Sequence, residues 1–273
     1  MNISPLIICD HNKSHFSKIY HYKSKPNYEK NFRISGKYER AFFQCKKCLH
    51  MYAAHGFNIN DLYSKQYLEL TYKNIKGIHK RFKKVISLPK KKSDNKNRAI
   101  RVDNFFAKKD YKLLDVGSGI GVFIYEMRKK NWHVSGIEMD KRYAEYCKKF
   151  HKLNVFKKKL SKLNSKKKFD LISFNKVLEH VKNPIMLLKS SKRFLNKNGI
   201  VYIEVPDIKA KKNGKSSQEF CVDHLHIFST KSLRSLAKKS GMKVLKIKSI
   251  HEPSGKYTLF GFLKNIKGVK WKF

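Results

Sequence analysis

A glycine-rich turn at residues 113–121, with the sequence LLDVGSGIG, constrains this chain more than any other feature. An apolar run leads into it, and an apparent helix, VFIYEM, follows it. Gly117 and Gly119 carry no Cβ, so a ligand can reach the main chain, and the start of the next helix offers free N–H groups to a carboxylate or phosphate. The turn alone leaves the function open, because dinucleotide enzymes, phosphate sites and ordinary tight turns all use glycine in this way.

The sequence beyond residue 111 alternates short β-rich runs with segments of helical period. The β-rich runs are KLLDVGSG, WHVSGIE, FDLISFN and IVYIEVPD, and the helical segments between them are GVFIYEMRKKN, DKRYAEYCKKFHKL and NPIMLLKSSKRFLNKNG. Alternating β and α units predict a mainly parallel, doubly wound sheet with helices on both faces. We therefore expect an α/β, Rossmann-like domain over residues 105–273.

Two further regions precede this domain. Residues 1–60 are rich in His, Tyr, Lys and Cys and lack a sustained period, which indicates a small module with many loops. Residues 61–104 combine a helical segment with a basic linker. Their first part, 61–88, places apolar side chains at helical spacings, whereas PKKKSDNKNR at 89–98 predicts a solvated linker.

The chain carries a large excess of positive charge. Its 273 residues include 63 Lys and Arg against 20 Asp and Glu, a formal net charge of +43, which favours a polyanionic partner such as nucleic acid. Only nine of those 63 residues are Arg, the side chain expected where a planar fork grips phosphates or bases. Nucleic-acid binding is therefore the alternative rather than the leading interpretation.

The composition indicates a folded protein of the reduced cytoplasm. Hydrophobic residues make up 41% of the chain, and no run of about 18 uncharged apolar residues exists to span a bilayer. The first residues, MNISPLIICDHNK, lack the basic region and cleavage site of a signal peptide, and the five cysteines are an odd number. We therefore expect a cytoplasmic protein without a membrane span.

Two acidic residues flank the glycine turn. Asp115 lies two residues before Gly117, where a carboxylate can hold an ammonium group directly or through water. Glu138 ends the next predicted strand, where a carboxylate can accept both hydroxyls of a ribose. A dinucleotide enzyme would share Glu138 but would not need Asp115, and its usual G-x-G-x-x-G spacing differs from the G-S-G-I-G found here.

Several ordered segments resemble the class I S-adenosylmethionine-dependent methyltransferases. The resemblance covers residues 105–250 and rests on LLDVGSGIG, GIEMD, FDLISFNKVLEHV, GIVYIEVPD and LRSLAKKSGMKVLKI. In that family the glycine turn carries the methionine part of S-adenosylmethionine, and the acid that ends the second strand holds its ribose. By resemblance, the methionine end would be lined by Asp115, Gly117, Ser118, Gly119 and Gly121.

The remaining cofactor positions follow from the same resemblance. Glu138 would bind the ribose, Met139 would lie beside the adenine, and Asn175 could form the floor of the site. Many relatives carry an Asp after the third strand to bond the adenine, whereas the stretch NVFKKKLSKL offers Lys159 and Leu160. We therefore expect main-chain groups near Leu160 to recognise the adenine.

Two histidines are candidate catalytic residues. His180 follows the fourth strand in FNKVLEHVKNP, where it either caps the next helix or faces the substrate. His224 and His226 alternate on an apparently extended segment, so they should face the same side. Their segment, EFCVDHLHIFSTKSL, resembles the EHLHxFS insert of methyltransferases often found with polysaccharide and small-molecule biosynthesis, and HEPSGKYTL at 251–259 strengthens the match.

That resemblance implies that His224 is the base, with His180 as the second candidate. An unperturbed histidine pKa of about 6.5 suits proton transfer at neutral pH. The alternative is that both histidines of the insert only tie it to the sheet. The sequence thus predicts a methyltransferase acting on a small-molecule or saccharide acceptor at O, N or C. The alternative function is an RNA-binding or RNA-modifying methyltransferase that uses its basic surface.

The N-terminal module contains a candidate zinc site. FFQCKKCLHMY holds Cys45 and Cys48 at the C-x2-C spacing of one zinc-ribbon knuckle. By resemblance to relatives with N-terminal ribbons, the second knuckle would lie near LIICDHNKSHF, where Cys9 is present and Asn12 occupies the matching second position. His11 could replace the missing ligand, as could His15 or His50, or the module no longer binds metal.

Overall fold

The structure is a computed structural model that describes residues 8–9, 11–27, 29, 34, 36–59, 74–107, 110–163 and 166–266. Its strands and helices, in chain order, are β1 (Phe16–Tyr22), β2 (Arg40–Cys45), β3 (Met51–His55), α1 (Ile75–Ser87), α2 (Asp94–Asp103), β4 (Lys112–Val116), α3 (Val122–Arg128), β5 (His133–Ile137), α4 (Lys141–His151), β6 (Asn154–Phe156), β7 (Phe169–Asn175), α5 (Pro184–Ser191), β8 (Leu195–Pro206), β9 (His226–Ile227), α6 (Thr230–Lys239), β10 (Met242–His251) and β11 (Tyr257–Asn265).

A seven-stranded sheet forms the larger part of the molecule, in the order β10-β11-β8-β7-β4-β5-β6. The five strands β4 to β8 run parallel, whereas β11 pairs antiparallel with β8, and β10 with β11. The prediction of a doubly wound, mainly parallel sheet is confirmed. Because the parallel strands point the same way, their carboxyl ends meet along one edge, where such folds bind ligands.

Both faces of this sheet are buried, as expected for parallel strands. Leu114 and Ile172 point to one face and pack in a core cluster with residues of α5 and α6. Leu113 and Leu171, one position earlier, point to the other face and pack with residues of α1 to α4. This alternation follows from the period of two along a strand, and it fixes the register of the strands that carry the site.

The basic stretch at 89–98, predicted to be a solvated linker, is partly helical. Helix α2 begins at Asp94, and the Ser93 side chain caps it by accepting a hydrogen bond from the Lys96 amide. Arg98 is only 7% exposed and donates to the Glu204 carboxylate at 2.7 Å. The prediction of a solvated linker is wrong for this part of the stretch. A run of charged residues indicated exposure to solvent, but Arg98 is buried and paired with Glu204. Residues 61–73, the first part of the predicted helical segment, lie outside the described residues.

A second, four-stranded sheet has the order β1-β2-β3-β9. Its first three strands form an antiparallel meander in the N-terminal module, and its fourth comes from the segment just before α6. Tyr52 lies opposite His226 in this pairing, and the Ala53 amide donates to the Leu225 carbonyl at 3.0 Å. The N-terminal module and the predicted insert therefore share one sheet. Among the described helices, none combines the length and apolar character needed to cross a bilayer.

Candidate functional site

The glycine turn lies between β4 and α3, at the carboxyl edge of the parallel sheet. The amides of Gly117 and Ser118 both donate to the Ile137 carbonyl, at 2.8 and 3.0 Å. Gly117 and Gly119 have φ values of +75° and +53°, in the left-handed region that favours glycine. A Cβ on Gly117 would lie 2.6 Å from a methyl group of Val177, whereas one on Gly119 would meet open space. The turn is therefore tight against Val177 and open at Gly119.

Gly121 and Ser118 pack against other residues of the protein and do not line the first cavity. A Cβ on Gly121 would lie 2.8 Å from the Cys147 sulfur, so glycine allows α3 to pack close to α4. Ser118 is 8% exposed, and its hydroxyl lies 2.6 Å from where a Cβ on Gly136 would be. That hydroxyl has no hydrogen-bond partner among the described residues. The role predicted for these two residues at a methionine end stays a prediction.

A cavity of about 510 Å³ opens beside the turn, which we call the first cavity. It is lined by Val116, Gly117, Ile137, Glu138, Met139, Lys158, Lys159, Leu160, Ser161, Val177, Val181, Met186, Leu187 and Ser190. Four of the nine predicted cofactor residues therefore line this cavity: Gly117, Glu138, Met139 and Leu160. The lining is mainly apolar with a few polar groups, which is the usual character of a small-molecule site.

Glu138 is the acidic group of the first cavity. Its two carboxylate oxygens accept hydrogen bonds from the Gly119 amide at 2.8 Å and from the Asp140 amide at 2.9 Å. Burial raises the pKa of Glu138, while these main-chain bonds act in the opposite direction. Glu138 thus fixes the glycine turn to the end of β5 and presents a hydrogen-bond acceptor at the cavity wall.

Met139 and Leu160 line the same cavity in different ways. The Met139 side chain is 54% exposed at the rim, whereas Leu160 is 3% exposed and begins a short 3-10 helix, Leu160–Lys162. Lys159 and Ser161 flank Leu160 and also contribute to the wall. This segment therefore borders the cavity, and the main-chain contact with adenine expected near Leu160 stays a prediction.

Asp115 and Asn175 meet behind the glycine turn. The Asp115 carboxylate accepts hydrogen bonds from the Ser173 hydroxyl at 2.6 Å and from the Asn175 amide at 2.8 Å. Asp115 is 2% exposed, and burial raises its pKa to about 7. The carbonyl oxygen of the Asn175 side chain is buried without a hydrogen-bond partner among the described residues. Two predicted cofactor residues are thus joined to each other, next to the first cavity.

A second cavity, of about 310 Å³, lies at the ends of β7 and β8. It is lined by Lys176, Glu179, Pro206, Gln218, Glu219, Cys221, His224 and Lys256. The segment at residues 176–181 separates it from the first cavity. Val177 and Val181 line the first cavity, whereas Lys176 and Glu179 line the second. The two cavities therefore lie on opposite sides of one short loop that follows β7.

His224, the predicted base, lines the second cavity. Its Nδ1 lies 2.7 Å from the Glu219 carbonyl oxygen, a bond in which the ring nitrogen donates, so Nε2 is the unprotonated nitrogen. Burial lowers the pKa of His224 to about 3. The unperturbed value on which the sequence argument relied therefore does not apply, and the imidazole is neutral at physiological pH.

His180 and His226 occupy different surroundings. His180 does not cap α5, whose first turn is capped by Asn183. Its Nδ1 lies 3.0 Å from the Asp223 carbonyl oxygen, and its ring packs edge-on against His224 with centroids 4.7 Å apart. His226 lies in β9, with its Nε2 3.0 Å from the Val181 carbonyl oxygen. The expectation that both insert histidines face one side is wrong, because the strand begins only at His226.

Two other residues of the second cavity were not predicted from the sequence as site residues. Glu179 is fully buried, and neither of its carboxylate oxygens has a hydrogen-bond partner among the described residues. Lys176 has a φ of +57°, and its ammonium group donates to the Thr258 hydroxyl at 2.7 Å. Lys176 and Glu179 lie in the stretch NKVLEH, which begins at Asn175. The sequence does not predict the backbone conformation that brings them to the cavity.

The predicted metal ligands come together in the N-terminal module. The sulfurs of Cys9, Cys45 and Cys48 and a ring nitrogen of His11 all lie within 4.8 Å of one another. His11 Nδ1 is 3.1 Å from the Cys45 sulfur, and a hydrogen bond with Cys48 lowers the pKa of Cys9. Of the three candidate histidines, His11 is thus the one beside the cysteines, since the buried His50 pairs instead with His226. Three sulfurs and one imidazole suit four-coordinate zinc.

Comparison with known proteins gives a family match over most of the described chain. The model of a family described as "Methyltransferase domain" matches residues 75–247. The ubiquinone biosynthesis O-methyltransferase of Pelagibacter ubique (strain HTCC1062) is 39% identical over 101 residues, 35% of this chain and 42% of that protein. The protein of the same name from Histophilus somni (strain 2336) is 30% identical over 103 residues, 33% of this chain and 43% of that protein. The match thus spans about two fifths of the length of these curated relatives.

Solved structures share the fold at low sequence identity. A 1,6-didemethyltoxoflavin-N1-methyltransferase from Burkholderia thailandensis, bound to 1,6-didemethyltoxoflavin and S-adenosylhomocysteine, aligns with a TM-score of 0.52. It is 14% identical, and the alignment covers 64% of this chain and 79% of that one. A SAM-dependent methyltransferase from Aquifex aeolicus aligns with a TM-score of 0.52 at 18% identity, over 68% of this chain and 98% of that one.

Proposed function

This chain belongs to the family of methyltransferase domains, and from that premise we propose that it transfers a methyl group from S-adenosylmethionine to a small-molecule or saccharide acceptor. Oxygen is the favoured acceptor atom, because the curated relatives are named O-methyltransferases. The net charge of +43 favours RNA as the alternative acceptor.

The first cavity fits S-adenosylmethionine. Glu138 offers a carboxylate for the ribose hydroxyls, and Met139 and Leu160 offer apolar surface and main-chain groups for the adenine. The open side of Gly119 and the buried Asp115 would serve the methionine end. The sulfonium cofactor supplies an activated methyl group for an in-line displacement, so the residues of this chain chiefly have to align the acceptor.

The observation that carries the proposal is the pair of cavities on either side of residues 176–181. A methyltransferase must hold two ligands at once, with the methyl group directed from one to the other. Here the cavity beside the glycine turn and the cavity beside His224 share the loop that follows β7. Two adjacent sites of unequal polarity suit one cofactor and one acceptor better than a single long ligand.

His224 is the residue we assign to the acceptor proton. Its Nδ1 is held by the Glu219 carbonyl, which orients the ring and leaves Nε2 to accept a proton. The neighbouring ring of His180 limits rotation of His224. An acceptor hydroxyl in the second cavity would donate a hydrogen bond to Nε2. As its oxygen bonded to the methyl carbon, the methyl–sulfur bond would break and S-adenosylhomocysteine would leave. Because the pKa of His224 is lowered to about 3, Nε2 would take the proton late, when positive charge has built up on the oxygen.

Binding of S-adenosylhomocysteine to the full chain, measured by calorimetry, tests the cofactor site. We expect one site, and we expect Glu138→Ala to weaken binding by about 1–3 kcal/mol, the scale for losing charged hydrogen bonds. Glu145→Ala is the matched control, because Glu145 is 62% exposed on α4 and away from the first cavity. Equal affinity of a folded Glu138→Ala protein and the wild type would refute the assignment.

We also propose that Cys9, His11, Cys45 and Cys48 bind one zinc ion with a structural role. The support is the donor set and its closeness in space. Such an ion would join the segment before β1 to the turn between β2 and β3, and that sheet continues into β9 beside the second cavity. The ion would thus stabilise the module that supports the insert.

A further inference from the structure

The second cavity contains two lysines whose charges are not neutralised by ion pairs. Lys176 and Lys256 both line it, and neither forms an ion pair with a carboxylate in the part of the chain that the structure describes. The Lys176 ammonium uses one N–H to bond the fully buried Thr258 hydroxyl. An ammonium group has three donors, so two remain for another acceptor.

Lys176 adopts a backbone conformation that favours glycine. Its φ of +57° is in the left-handed region, which strains a residue with a side chain. The Lys176 amide donates to the Glu204 carbonyl at 3.0 Å, and this bond holds the conformation. The Lys176 side chain lies at the wall of the second cavity in this conformation.

The carboxylates near the cavity are buried or bonded to other protein groups. The Glu219 carboxylate accepts hydrogen bonds from the Tyr257 amide and the Ser217 hydroxyl. Glu204 forms ion pairs with two arginines. Glu179 is fully buried, and burial raises its pKa, as burial lowers the pKa of Lys176. Lys176 and Lys256 therefore offer charged donors to an anion at this cavity.

We propose that the acceptor is an anion whose carboxylate or phosphate group binds between Lys176 and Lys256. This inference rests on the proposed function, since it concerns the second ligand of the same site. Charge-assisted hydrogen bonds from two ammonium groups would fix the anionic end of the acceptor. Its methyl-accepting atom would then face the His224 side of the cavity.

Paired ligands that differ in charge test this inference. The full chain, saturated with S-adenosylhomocysteine, is titrated with 3,4-dihydroxybenzoate and its amide, with glucuronate and its amide, and with glucose 1-phosphate and glucose. We expect binding in at least one pair, with the charged member about tenfold or more tighter. The carboxylate pairs and the phosphate pair distinguish the two kinds of anion.

Lysine variants assign the effect to the cavity. Lys176→Met and Lys256→Met should each remove most of the preference for the charged member. Lys212→Met should keep it, because Lys212 is exposed and lies outside the cavity. Unchanged affinity for S-adenosylhomocysteine shows that the variants are folded.

Three results would overturn the inference: equal binding of charged and neutral members, no binding of any pair, or an unchanged preference in both cavity variants. Failure of the proposed function is a separate outcome. It would appear as a wild-type chain that does not bind S-adenosylhomocysteine.

Discussion

Single residues at the carboxyl edge of the sheet differ in how well the sequence predicts them. Gly117 and Glu138 could be placed because a glycine turn and the acid ending the next strand stand at fixed distances along the chain. Lys176 and Glu179 could not, because their importance comes from a positive φ and from burial without a partner. The pKa of His224 was also beyond the sequence, since burial in the folded chain lowers it.

Replacing His224 with Asn keeps a polar side chain but removes the basic ring nitrogen. Turnover should fall about 10²–10⁴-fold while affinity for S-adenosylhomocysteine stays the same. The control is His133→Asn, because His133 is exposed at the first residue of β5.

Because the pKa of His224 is lowered to about 3, its ring needs no deprotonation near neutral pH. The wild-type rate should therefore show no ionisation of His224 between about pH 5 and pH 8. Near-normal turnover of the variant would reduce His224 to a structural role.

Asp115 should make cofactor binding depend on pH. Burial raises its pKa to about 7, so its carboxyl group is protonated and neutral below that value and charged above it. If Asp115 lies at the methionine end, as we propose, its charged form would favour the ammonium group there. Affinity for S-adenosylhomocysteine should thus fall as the pH drops from 8 to 6, by up to about tenfold per unit below 7.

Calorimetry at several pH values checks this dependence. Asp115→Asn should bind more weakly at pH 8 and lose the dependence, whereas Asp110→Asn, at an exposed position, should keep it. A wild-type affinity that is constant over this range would contradict the role of Asp115.

At the scale of elements, the parallel part of the sheet was predictable and its antiparallel edge was not. The strands β4, β5 and β7 fall within the apolar runs read from the sequence, as expected for strands buried in a parallel sheet. Strand β8 covers most of its run but begins at Leu195, inside a segment that was predicted to be helical. Strand β10 alternates exposed and half-buried residues, a weaker pattern. The two-residue strand β9 forms only because β3 is its partner, so its pairing depends on distant sequence.

The zinc proposal concerns the turn between β2 and β3. Protein purified without chelator should contain about one zinc per chain, measured by elemental analysis. Cys45→Ser should lose it, since Cys45 lies in the cluster, whereas Cys147→Ser should retain it, since Cys147 packs beside α3. Because β3 pairs with β9, loss of the ion should also increase hydrogen exchange at His226 and Ile227.

Elemental analysis that finds no zinc in the wild type would mean that the module is held without metal. If the wild type contains zinc but hydrogen exchange at His226 and Ile227 is unchanged in Cys45→Ser, the zinc site would stand. The proposal that the ion stabilises the insert would then be wrong.

At the scale of the whole molecule, the N-terminal module is connected to both cavities. His50 Nε2 lies 3.2 Å from His226 Nδ1, and His226 Nε2 bonds the Val181 carbonyl, on the wall of the first cavity. The Leu225 amide donates to the Glu179 carbonyl at 2.7 Å, on the wall of the second. The module therefore supports the loop that separates the two cavities.

The most direct test of the account is the transfer of label from methyl-labelled S-adenosylmethionine by the full chain. Extract fractions containing small metabolites and fractions containing nucleic acid are offered separately as acceptors. We predict label in the small-metabolite fraction, reduced about 10²-fold or more in His224→Asn. Label confined to the nucleic-acid fraction would contradict methyl transfer to a small-molecule or saccharide acceptor. So would the absence of transfer by protein that binds S-adenosylhomocysteine.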